Sequence, residues 1–479
     1  MNAFSFLTRA ADLWPTSPAI IWPSGRLSFE ELHFQAELLK AALFKAGIRP
    51  GMGLGLIAQN GPDFIVGLFA GLACGAVVMP ISHNLKEQEL CRILELVPMA
   101  GILHDGSMQH TLKNVQLRSE GRFQIAMRPK EQQLRVACGV PNAAVIRFTS
   151  GTTGTSKGVV LSHASVFERS EAAREGQHLN AGDKVLWVLP MAYHFIVSIL
   201  TYVRYGITVV LPNDDSPSAI LESAEQHQAD LLYASPTLIQ ELASDESSLS
   251  FPTTTRIIST SSGLHPEHAE RFERRFNHKV CQLYGLIEIG LPIGTAPSGS
   301  TSHNSDSTKI GSALPQYEVA ILDDTGCELP SNHLGSLAVR GPGMFDAYLA
   351  PYRPVSDVLV NGWFITGDLA IQDYQGRISV CGREKSVINV AGHKVFPEEI
   401  EGVLNSFPGV QASRVYGVER PKTGERIIAE VVPQSGIKLD ISALRSYSSE
   451  RLSSYKIPTQ IHLVSTIQMT ASGKILRAA

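Results

Sequence analysis

Between residues 185 and 283, short apolar runs alternate with amphipathic stretches of about ten residues, and this alternation restricts the possible folds strongly. The apolar runs are rich in Val, Ile and Leu, as buried strands are. Three of the amphipathic stretches begin with proline, which suits the first turn of a helix. Strands separated by helices form βαβ units in a largely parallel sheet, whose ligand sites lie at the carboxyl ends of the strands. We expect strands over 185–190, 208–211, 231–233 and 256–259 and helices over 194–204, 217–227, 236–243 and 266–276. The loops of interest are therefore those that follow Leu189, Tyr233, Ser259 and Leu283.

The region before this alternation predicts further helices and strands. Ser28 stands where a helix N-cap is expected, and Glu31 follows at the spacing of a capping box. The uncharged segment 64–80 is slightly short for a membrane span and contains several glycines, so we interpret it as a buried helix followed by a core strand. Residues 104–140 are polar and irregular. The other expected elements are a helix over 27–43, a strand over 53–58 and a helix over 82–97.

Beyond residue 309 the pattern changes to short alternating strands separated by glycine and proline turns, which is typical of a β-rich subdomain. A compact α+β pattern follows from about residue 386. We therefore predict an α/β protein with a large N-terminal domain (1–382) of mixed, mostly parallel sheets with helices and a β-rich subdomain. A small mobile α+β C-terminal domain (383–479) completes the chain, and the boundary is expected at Gly382–Ser386.

Length and composition exclude several classes of protein. A chain of 479 residues is too long for one ordinary core, so at least two domains are expected. The net charge is −4 and no long charge runs occur, so nothing predicts binding to nucleic acid or to an anionic membrane. The six cysteines form no C-x-x-C pair, and the N-terminus lacks the order of a signal peptide. We expect a cytoplasmic protein without a membrane span, a zinc site or a disulfide framework.

A segment of small polar residues, Phe148-Thr-Ser-Gly-Thr-Thr-Gly-Thr-Ser-Lys-Gly158, lies between two strand-like runs. Its glycines allow the backbone N–H groups to turn inward, and its hydroxyls and one ammonium then surround a concave surface that attracts anions. A polyphosphate needs such a surface. The spacing does not match the P-loop, because Lys157 precedes Gly158 instead of Ser or Thr. A flexible linker is the alternative, and the flanking strands argue against it.

Three later stretches supply further functional groups. Tyr284-Gly-Leu-Ile-Glu288 offers an aromatic ring that could stack on a base and a carboxylate that could hold a hard cation. Asp368 and Arg383 stand in glycine-containing turns, where they could bind sugar hydroxyls and ribose or phosphate oxygens. Lys474 lies on a glycine turn near the end of the sequence. Alone, each has a simpler explanation: a core tyrosine, a surface ion pair or a disordered tail. Together they provide groups for a nucleotide, a metal and an anionic reaction centre.

With these stretches in this order, the sequence resembles the acyl-adenylate-forming superfamily over essentially its whole length. That group contains acyl-CoA synthetases, the adenylation domains of nonribosomal peptide synthetases and beetle luciferases, and the resemblance is closest to acyl or aryl acid–CoA ligases. The most specific motifs are the loop 148–158 and the segment 382–401. The resemblance implies a two-step reaction. ATP and a carboxylate give an acyl-adenylate and pyrophosphate, and a thiol then captures the acyl group as a thioester.

The resemblance also assigns residues to the nucleotide. The phosphates are expected to contact Thr149, Ser150, Gly151, Thr152, Thr153, Gly154 and Lys157. The adenine is expected to contact Ser261, Ser262, Gly263, Tyr284 and Gly285. The ribose is expected to contact Asp368 and Arg383. Glu288 is expected to hold Mg²⁺ and Lys474 to bridge the acid and the α-phosphate, and with His194 these two are the expected catalytic residues. Lys385 falls at the hinge about which the C-terminal lid would turn.

The acid is expected to bind near the segment Met191-Ala-Tyr-His-Phe195. In amino-acid-activating domains an aspartate here pairs with the substrate ammonium, but this chain has no acidic residue between Met191 and Asp214. Because a buried unpaired ammonium costs about 3–5 kcal/mol, we expect an aryl or acyl acid without an α-amine. His194 is expected to gate the pocket, with a packed core histidine as the alternative. The expected pocket residues are Tyr193, His194, Phe195, Leu286 and Ile287.

The sequence departs from the family pattern at four positions. Ile287 replaces the threonine of Tyr-Gly-x-Thr-Glu and removes a hydroxyl near the α-phosphate, and Ser156 replaces a common proline. Ser386 and Asn389 stand where charged residues are frequent. None of these changes removes a principal catalytic group. They leave unchanged the expectation that ATP, Mg²⁺ and a small carboxylic acid are bound.

The acceptor of the acyl group stays open between alternatives. Coenzyme A is the expected acceptor. A carrier-protein phosphopantetheine or an amine is the alternative acceptor. For the protein as a whole, a non-catalytic nucleotide-binding regulator is the alternative to an enzyme. We expect a monomer or homodimer.

Overall fold

The computed structural model describes residues 2–97, 99–106, 116–120, 122–128, 139–148, 157–295, 309–390, 393–420 and 424–468, with the backbone alone at 116–120, 420 and 424. The α-helices along these residues are α1 Ser5–Leu13, α2 Phe29–Ala46, α3 Pro62–Ala73, α4 Glu87–Leu96, α5 His163–Gln177, α6 Met191–His194, α7 Ile199–Arg204, α8 Pro217–His227, α9 Pro236–Ser244, α10 Pro266–Phe276, α11 Pro397–Asn405 and α12 Ile441–Arg451.

The β-strands of the described residues are β1 Pro18–Trp22, β2 Gly25–Ser28, β3 Gly53–Ile57, β4 Val77–Ile81, β5 Gly101–His104, β6 Gln116–Glu120, β7 Phe123–Met127, β8 Ala143–Phe148, β9 Gly158–Ser162, β10 Lys184–Trp187, β11 Thr208–Val210, β12 Leu231–Ala234, β13 Arg256–Ser259, β14 Val280–Leu286, β15 Gly290–Gly294, β16 Ser312–Ala313, β17 Glu318–Leu322, β18 Leu334–Arg340, β19 Ala347–Leu349, β20 Arg353–Pro354, β21 Phe364–Gln372, β22 Ile378–Arg383, β23 Ile388–Val390, β24 His393–Val395, β25 Val410–Arg420, β26 Gly424–Pro433 and β27 Gln460–Leu463. They form four sheets.

The first sheet contains the alternating region, in the strand order β16-β15-β14-β13-β12-β10-β11-β1-β2. Its centre, from β14 to β1, is parallel. The strands at both edges pair antiparallel. Helices α8, α9 and α10 connect the successive strands from β11 to β14, as the sequence predicts, and β13, α8 and α10 have the predicted bounds. The carboxyl ends of these parallel strands therefore meet at one edge of the sheet.

The second sheet carries the flanks of the glycine-rich loop, in the order β20-β19-β9-β8-β4-β3-β5-β7-β6. Strands β8, β4, β3 and β5 are parallel neighbours. Strands β8 and β9 form an antiparallel hairpin in which Phe148 pairs with Gly158. The predicted phosphate loop is therefore the connection of a hairpin on a buried sheet. This position agrees with the two strand-like runs that flank it in the sequence.

Two smaller sheets follow. The third has the order β17-β18-β21-β22 and corresponds to the predicted β-rich subdomain. The fourth has the order β24-β23-β26-β25 with β27 beside β26, and its strands share a separate apolar core with α11 and α12. The protein is thus a mixed α/β fold with several mixed sheets, as predicted. The domain limits 1–382 and 383–479 stay a prediction.

Local sequence explains where α2 and α3 lie. The Ser28 hydroxyl accepts a hydrogen bond from the Glu31 N–H and the Glu31 carboxylate accepts one from the Ser28 N–H, which is the predicted capping box. Gly47 ends α2 at φ 113°, a backbone conformation that glycine adopts readily. Helix α3 is almost completely buried and leads into the buried strand β4, as predicted for segment 64–80. No helix within the described ranges is both long enough and apolar enough to cross a membrane.

Three predictions of secondary structure differ from the fold. The prediction that 104–140 is irregular is wrong for the described part, because β6 and β7 form a hairpin that extends the second sheet beside β5. The helix predicted over 82–97 begins only at Glu87. The helix predicted over 194–204 is interrupted, since α6 ends at His194 and α7 starts at Ile199.

Candidate active site

Asp368 is the centre of a polar cluster at the position predicted to bind the ribose. It lies in β21 directly opposite Arg383 of β22, and the Arg383 Nε lies 2.7 Å from its Oδ1. The phenol of Tyr284 donates a hydrogen bond to Oδ2 of the same carboxylate. The Asp368 side chain is only 6% exposed and that of Arg383 is 42% exposed. A buried carboxylate with an adjacent guanidinium and an aromatic ring is an arrangement suited to a ribose.

Hydrogen bonds through Thr366 fix the backbone at Asp368. Its N–H donates to the Thr366 Oγ1 at 3.1 Å, and the Thr366 hydroxyl donates to the Leu337 carbonyl of β18 at 2.9 Å. Burial, followed by the nearby Asp368 charge, raises the pKa of Tyr284 well above its ordinary value, so the phenol stays a donor at neutral pH. Three of the predicted nucleotide residues are therefore brought together, although they come from two sheets.

The predicted adenine turn, Ser261–Gly263, follows the carboxyl end of β13. Ser261 has φ 82° and is the residue that makes the chain turn here. The turn is fixed on both sides to β14, because the Thr260 hydroxyl donates to the Leu283 carbonyl at 3.1 Å and the Leu264 N–H donates to the Gln282 Oε1 at 3.2 Å. Ser262 and Gly263 are exposed. The turn thus lies beside the strand that carries Tyr284.

Glu288 lies in the turn between β14 and β15, four residues beyond Tyr284. Its Oε1 accepts a hydrogen bond of 3.0 Å from the phenol of Tyr348 in β19. The Lys157 Nζ lies 4.7 Å from the centre of the Tyr348 ring, so one tyrosine contacts both the expected metal ligand and the loop lysine. Burial, followed by the Glu288 charge, raises the pKa of Tyr348 above its ordinary range, so the phenol also stays protonated.

A Mg²⁺ ion fits this carboxylate. Within the described part of the chain, the second oxygen of Glu288 accepts no hydrogen bond, and no group of three or more His, Cys, Asp or Glu side chains could form an all-protein metal cage. Mg²⁺ commonly takes one or two carboxylates together with substrate phosphates and water. Glu288 would therefore hold the ion in company with the nucleotide, as the sequence predicts.

Arg169 supports the Glu288 turn and escaped prediction from the sequence. It is 1% exposed, and its guanidinium donates to the carbonyls of Ile287 at 2.6 Å, Glu288 at 2.9 Å and Gly343 at 2.8 Å. Burial lowers its pKa to about 10, which still leaves it charged at neutral pH. Gly343 has φ 66°, and a Cβ there would lie 2.6 Å from the Arg169 backbone nitrogen. An arginine in the middle of helix α5 gave no local signal of this role.

The predicted acid-pocket segment is held by Asn60, another residue that sequence reasoning missed. The Asn60 amide donates to the Leu189 carbonyl at 2.9 Å and accepts from the Met191 N–H at 2.8 Å. The His194 ring lies edge-on to Trp187, with the ring centres 6.4 Å apart. Phe195 is fully buried and packs against Phe64 in the main core. The segment is therefore a rigid part of the fold at the end of β10.

The remaining predicted residues divide into three groups. Tyr193, Leu286 and Ile287 are each partly exposed, and Gly285 is exposed, so these four can reach a ligand. Lys385 is exposed in a short 3₁₀ turn over Glu384–Ser386, where a hinge is predicted. The loop residues 149–154 and Lys474 lie outside the described residues.

Sequence comparisons identify the family of the chain. The family described as AMP-binding enzyme matches residues 7–349, and the family described as AMP-binding enzyme C-terminal domain matches residues 399–474. A feruloyl-CoA synthase from an Amycolatopsis species is 27% identical over 488 residues, which cover 99% of this chain and 97% of that protein.

Two solved structures extend the comparison. The o-succinylbenzoate CoA synthetase of Bacillus subtilis, in complex with its acyl-adenylate intermediate, superposes with a TM-score of 0.85 at 24% sequence identity. The match covers 100% of this chain and 97% of that chain. The amide bond synthetase of Marinactinospora thermotolerans gives a TM-score of 0.79 at 25% identity, with coverage of 99% and 98%. The chain belongs to the AMP-binding enzyme family and is an AMP-forming enzyme of the acyl-CoA synthetase type.

Proposed function

We propose that this enzyme uses ATP to activate a carboxylic acid without an α-amine as its acyl-adenylate, with release of pyrophosphate, and then transfers the acyl group to the thiol of coenzyme A. The observation that supports the first step best is the junction of β14 with β21 and β22. Tyr284 donates a hydrogen bond to Asp368, and Asp368 forms an ion pair with Arg383. Glu288 lies four residues after Tyr284, in the turn that follows β14.

In this proposal the residues mainly position the reactants. Asp368 and Arg383 would bind the ribose, the turn at 261–263 would contact the adenine, and Glu288 would hold Mg²⁺. The ion would neutralise charge on the phosphates as pyrophosphate leaves. Lys474 would bridge the acid and the α-phosphate in this step. A carboxylate is a poor electrophile, and its anhydride with AMP supplies a good leaving group, so positioning and charge stabilisation account for most of the catalysis.

The acid itself would bind beside Tyr193, His194 and the turn that contains Ile287. An amino acid is disfavoured, because Tyr193 contacts a cationic side chain: the Arg147 guanidinium lies 5.7 Å from the centre of its ring. An ammonium placed there would be repelled. The curated relatives act on acids of several kinds, including aryl, indole and sulfonated acids, so relatedness does not select one.

An acid-dependent ATP–pyrophosphate exchange assay over a panel of carboxylic acids tests the first step. We expect exchange with at least one aryl or acyl acid and none with amino acids. The absence of exchange with every acid would contradict the proposal and favour a nucleotide-binding regulator. The variant Asp368→Asn serves as the site control, because it should weaken exchange with every acid.

The acceptor is tested separately by mass spectrometry of the product formed with coenzyme A, with a phosphopantetheinylated carrier protein and with amines. A CoA thioester is expected. An amide product without consumption of CoA would favour the amine alternative. Amines are tested because one structure similar to this chain is that of an amide bond synthetase.

A further inference from the structure

The guanidinium of Arg147 is a partly buried cation that the adenylation chemistry does not use. Arg147 is the penultimate residue of β8, paired in register with Val159 of β9. Its guanidinium lies 5.7 Å from the centre of the Tyr193 ring, in the segment proposed to bind the acid. Its Nε is shielded from solvent and has no hydrogen-bond partner among the residues that the structure describes.

The side chains around Arg147 do not neutralise it. Within the described ranges, no carboxylate lies close enough to form an ion pair with it. Burial raises the pKa of Tyr193, so the ring beneath the guanidinium is a neutral phenol at neutral pH. Among the described residues, Glu288 is the carboxylate that interacts electrostatically with Arg147, and one of its oxygens already accepts a hydrogen bond from Tyr348. The cationic Arg169 is also near enough to be affected by Arg147.

A cation removed from water destabilises the folded protein unless an anion or hydrogen-bond acceptors compensate for the lost hydration. Removing a guanidinium from water is costly, and proteins normally compensate with an anion and with hydrogen bonds to every donor. Burial lowers the pKa of Arg147 to about 10, so the group pays this cost and still remains charged at neutral pH. A planar group of N–H donors that lies over an aromatic ring, with no carboxylate paired to it among the described residues, is suited to bind an oxyanion.

We propose that Arg147 binds a second anionic group of the acid substrate, so that the enzyme prefers acids that carry a carboxylate or another oxyanion in addition to the carboxyl group that is activated. This inference rests on the proposed function. The second group would undergo no reaction. It would pair with the guanidinium above Tyr193, while the first carboxylate is directed toward the nucleotide by the turn that contains Glu288.

The test compares diacids with their monoamides, which have the same shape but one negative charge fewer. The pairs are succinate and succinamate, glutarate and glutaramate, adipate and adipamate, and isophthalate and 3-carbamoylbenzoate. For the best-fitting skeleton, kcat/KM in ATP–pyrophosphate exchange should be about 30-fold or more higher for the diacid. In Arg147→Met this ratio should fall to about one, and in Arg147→Lys it should fall partway.

Arg340→Gln is the matched control. Arg340 also stacks on an aromatic ring, that of Trp363, and its Nε also lacks a partner, but Glu318 neutralises its charge. The ratio should be unchanged in this variant. Thermal unfolding without ATP gives a second readout on the wild-type protein, in which the preferred diacid should raise Tm more than its monoamide does.

The outcomes separate this inference from the proposed function. If the wild-type enzyme exchanges with monoacids and shows no preference for any diacid, the assignment of Arg147 is overturned and the proposed function stands. Equal losses of activity on diacid and monoamide in Arg147→Met would also overturn it, because Arg147 would then serve the reacting carboxylate, the nucleotide or the fold. If no acid of any kind supports exchange, the proposed function itself fails.

Discussion

The Nη2 of Arg169 donates a hydrogen bond of 2.9 Å to the backbone carbonyl of Glu288, the residue expected to hold the metal. The position of the Glu288 carboxylate therefore depends on a side chain from helix α5, 119 residues earlier. The same guanidinium holds Gly343, which follows β18 and precedes β19. One buried cation thus joins three segments beneath the site.

Replacing Arg169 should destabilise the fold. We expect Arg169→Met to lower the free energy of unfolding by about 3–5 kcal/mol, because the buried carbonyls it serves would lose their donor. Arg169→Lys should lower it by about 2 kcal/mol, since one ammonium replaces only part of these bonds. Urea denaturation measures both. Arg174→Lys, on the more exposed part of the same helix, should change stability by less than about 0.5 kcal/mol, and an equal loss there would contradict the special role of Arg169.

The pH dependence of stability should reveal His163. This side chain is 7% exposed, its Nδ1 accepts a hydrogen bond of 3.1 Å from the Ala3 N–H, and burial lowers its pKa from 6.5 to about 4. Below pH 6.5 the His163 imidazole of the unfolded chain binds a proton, whereas that of the folded protein does so only near pH 4. The free energy of unfolding therefore decreases as the pH falls through this window.

The loss attributable to His163 should be about 3 kcal/mol between pH 7.5 and 4. His163→Gln cannot be protonated in this range, so its free energy of unfolding should fall less steeply. Urea unfolding at several pH values compares the two proteins. Parallel curves for the wild type and the variant would show that His163 is not the source.

Removal of the Tyr348 hydroxyl should affect the metal requirement. In Tyr348→Phe the ring can still contact Lys157, but Glu288 loses the donor that orients its carboxylate. We expect the Mg²⁺ concentration for half-maximal pyrophosphate exchange to rise about tenfold, as for other residues that orient a metal ligand. Tyr352→Phe is the control, because that exposed phenol only donates to the Gly139 carbonyl. A similar rise in both variants would rule out a specific action through Glu288.

Asp368 should control nucleotide affinity through its negative charge. One of its oxygens forms an ion pair with Arg383, and the other accepts a hydrogen bond from Tyr284. An amide has only one accepting oxygen and would turn its N–H toward one of these donors. We expect Asp368→Asn to raise KM for ATP by about tenfold to 100-fold.

The control for this substitution lies in the same hairpin. Asp373 pairs with Lys309 and Arg377 beyond the end of β21. Asp373→Asn should lower stability but leave KM for ATP unchanged. An equal increase of KM in both variants would indicate a general loss of structure in the hairpin and not a ribose contact.

Lys474 should act in one of the two steps only. If it bridges the acid and the α-phosphate, Lys474→Ala should suppress pyrophosphate exchange by about 100-fold or more, with little effect on thioester formation from supplied acyl-adenylate. Lys438→Ala, at an exposed position of the same C-terminal region, should leave both steps intact. Equal losses in both steps in Lys474→Ala would refute the assignment.

The parts of the fold that sequence predicts well are those with local causes. Helices α8 and α10 begin at a proline, Pro217 and Pro266, and end where the next residue takes a left-handed conformation. Strand β13 is a short run between polar residues. In contrast, β7 pairs with the edge of β5 and β6 pairs in turn with β7, and these tertiary pairings could not be read from the local sequence.

The site divides in the same way. Asp368, Arg383 and Tyr284 were identified through motifs, and the structure brings all three into contact. Arg169, which has no motif, acts through backbone carbonyls that are distant in sequence. Asn60 reaches the Leu189 carbonyl across 129 residues for the same reason. Contacts of a side chain with a remote backbone leave no pattern in a single sequence, because any residue can supply the carbonyl.

The pairing of Asp368 with Arg383 has a consequence for regulation of the reaction cycle. Arg383 is the last residue of β22, and Lys385, the predicted pivot, follows two positions later. Rotation about that pivot would change the geometry of a residue that is proposed to contact the nucleotide. Occupancy of the nucleotide site and the rotational equilibrium of the C-terminal domain would then be reciprocally linked. A substitution near Lys385 that favours the orientation preferred by the nucleotide should raise nucleotide affinity, by at most the factor by which the nucleotide shifts that equilibrium.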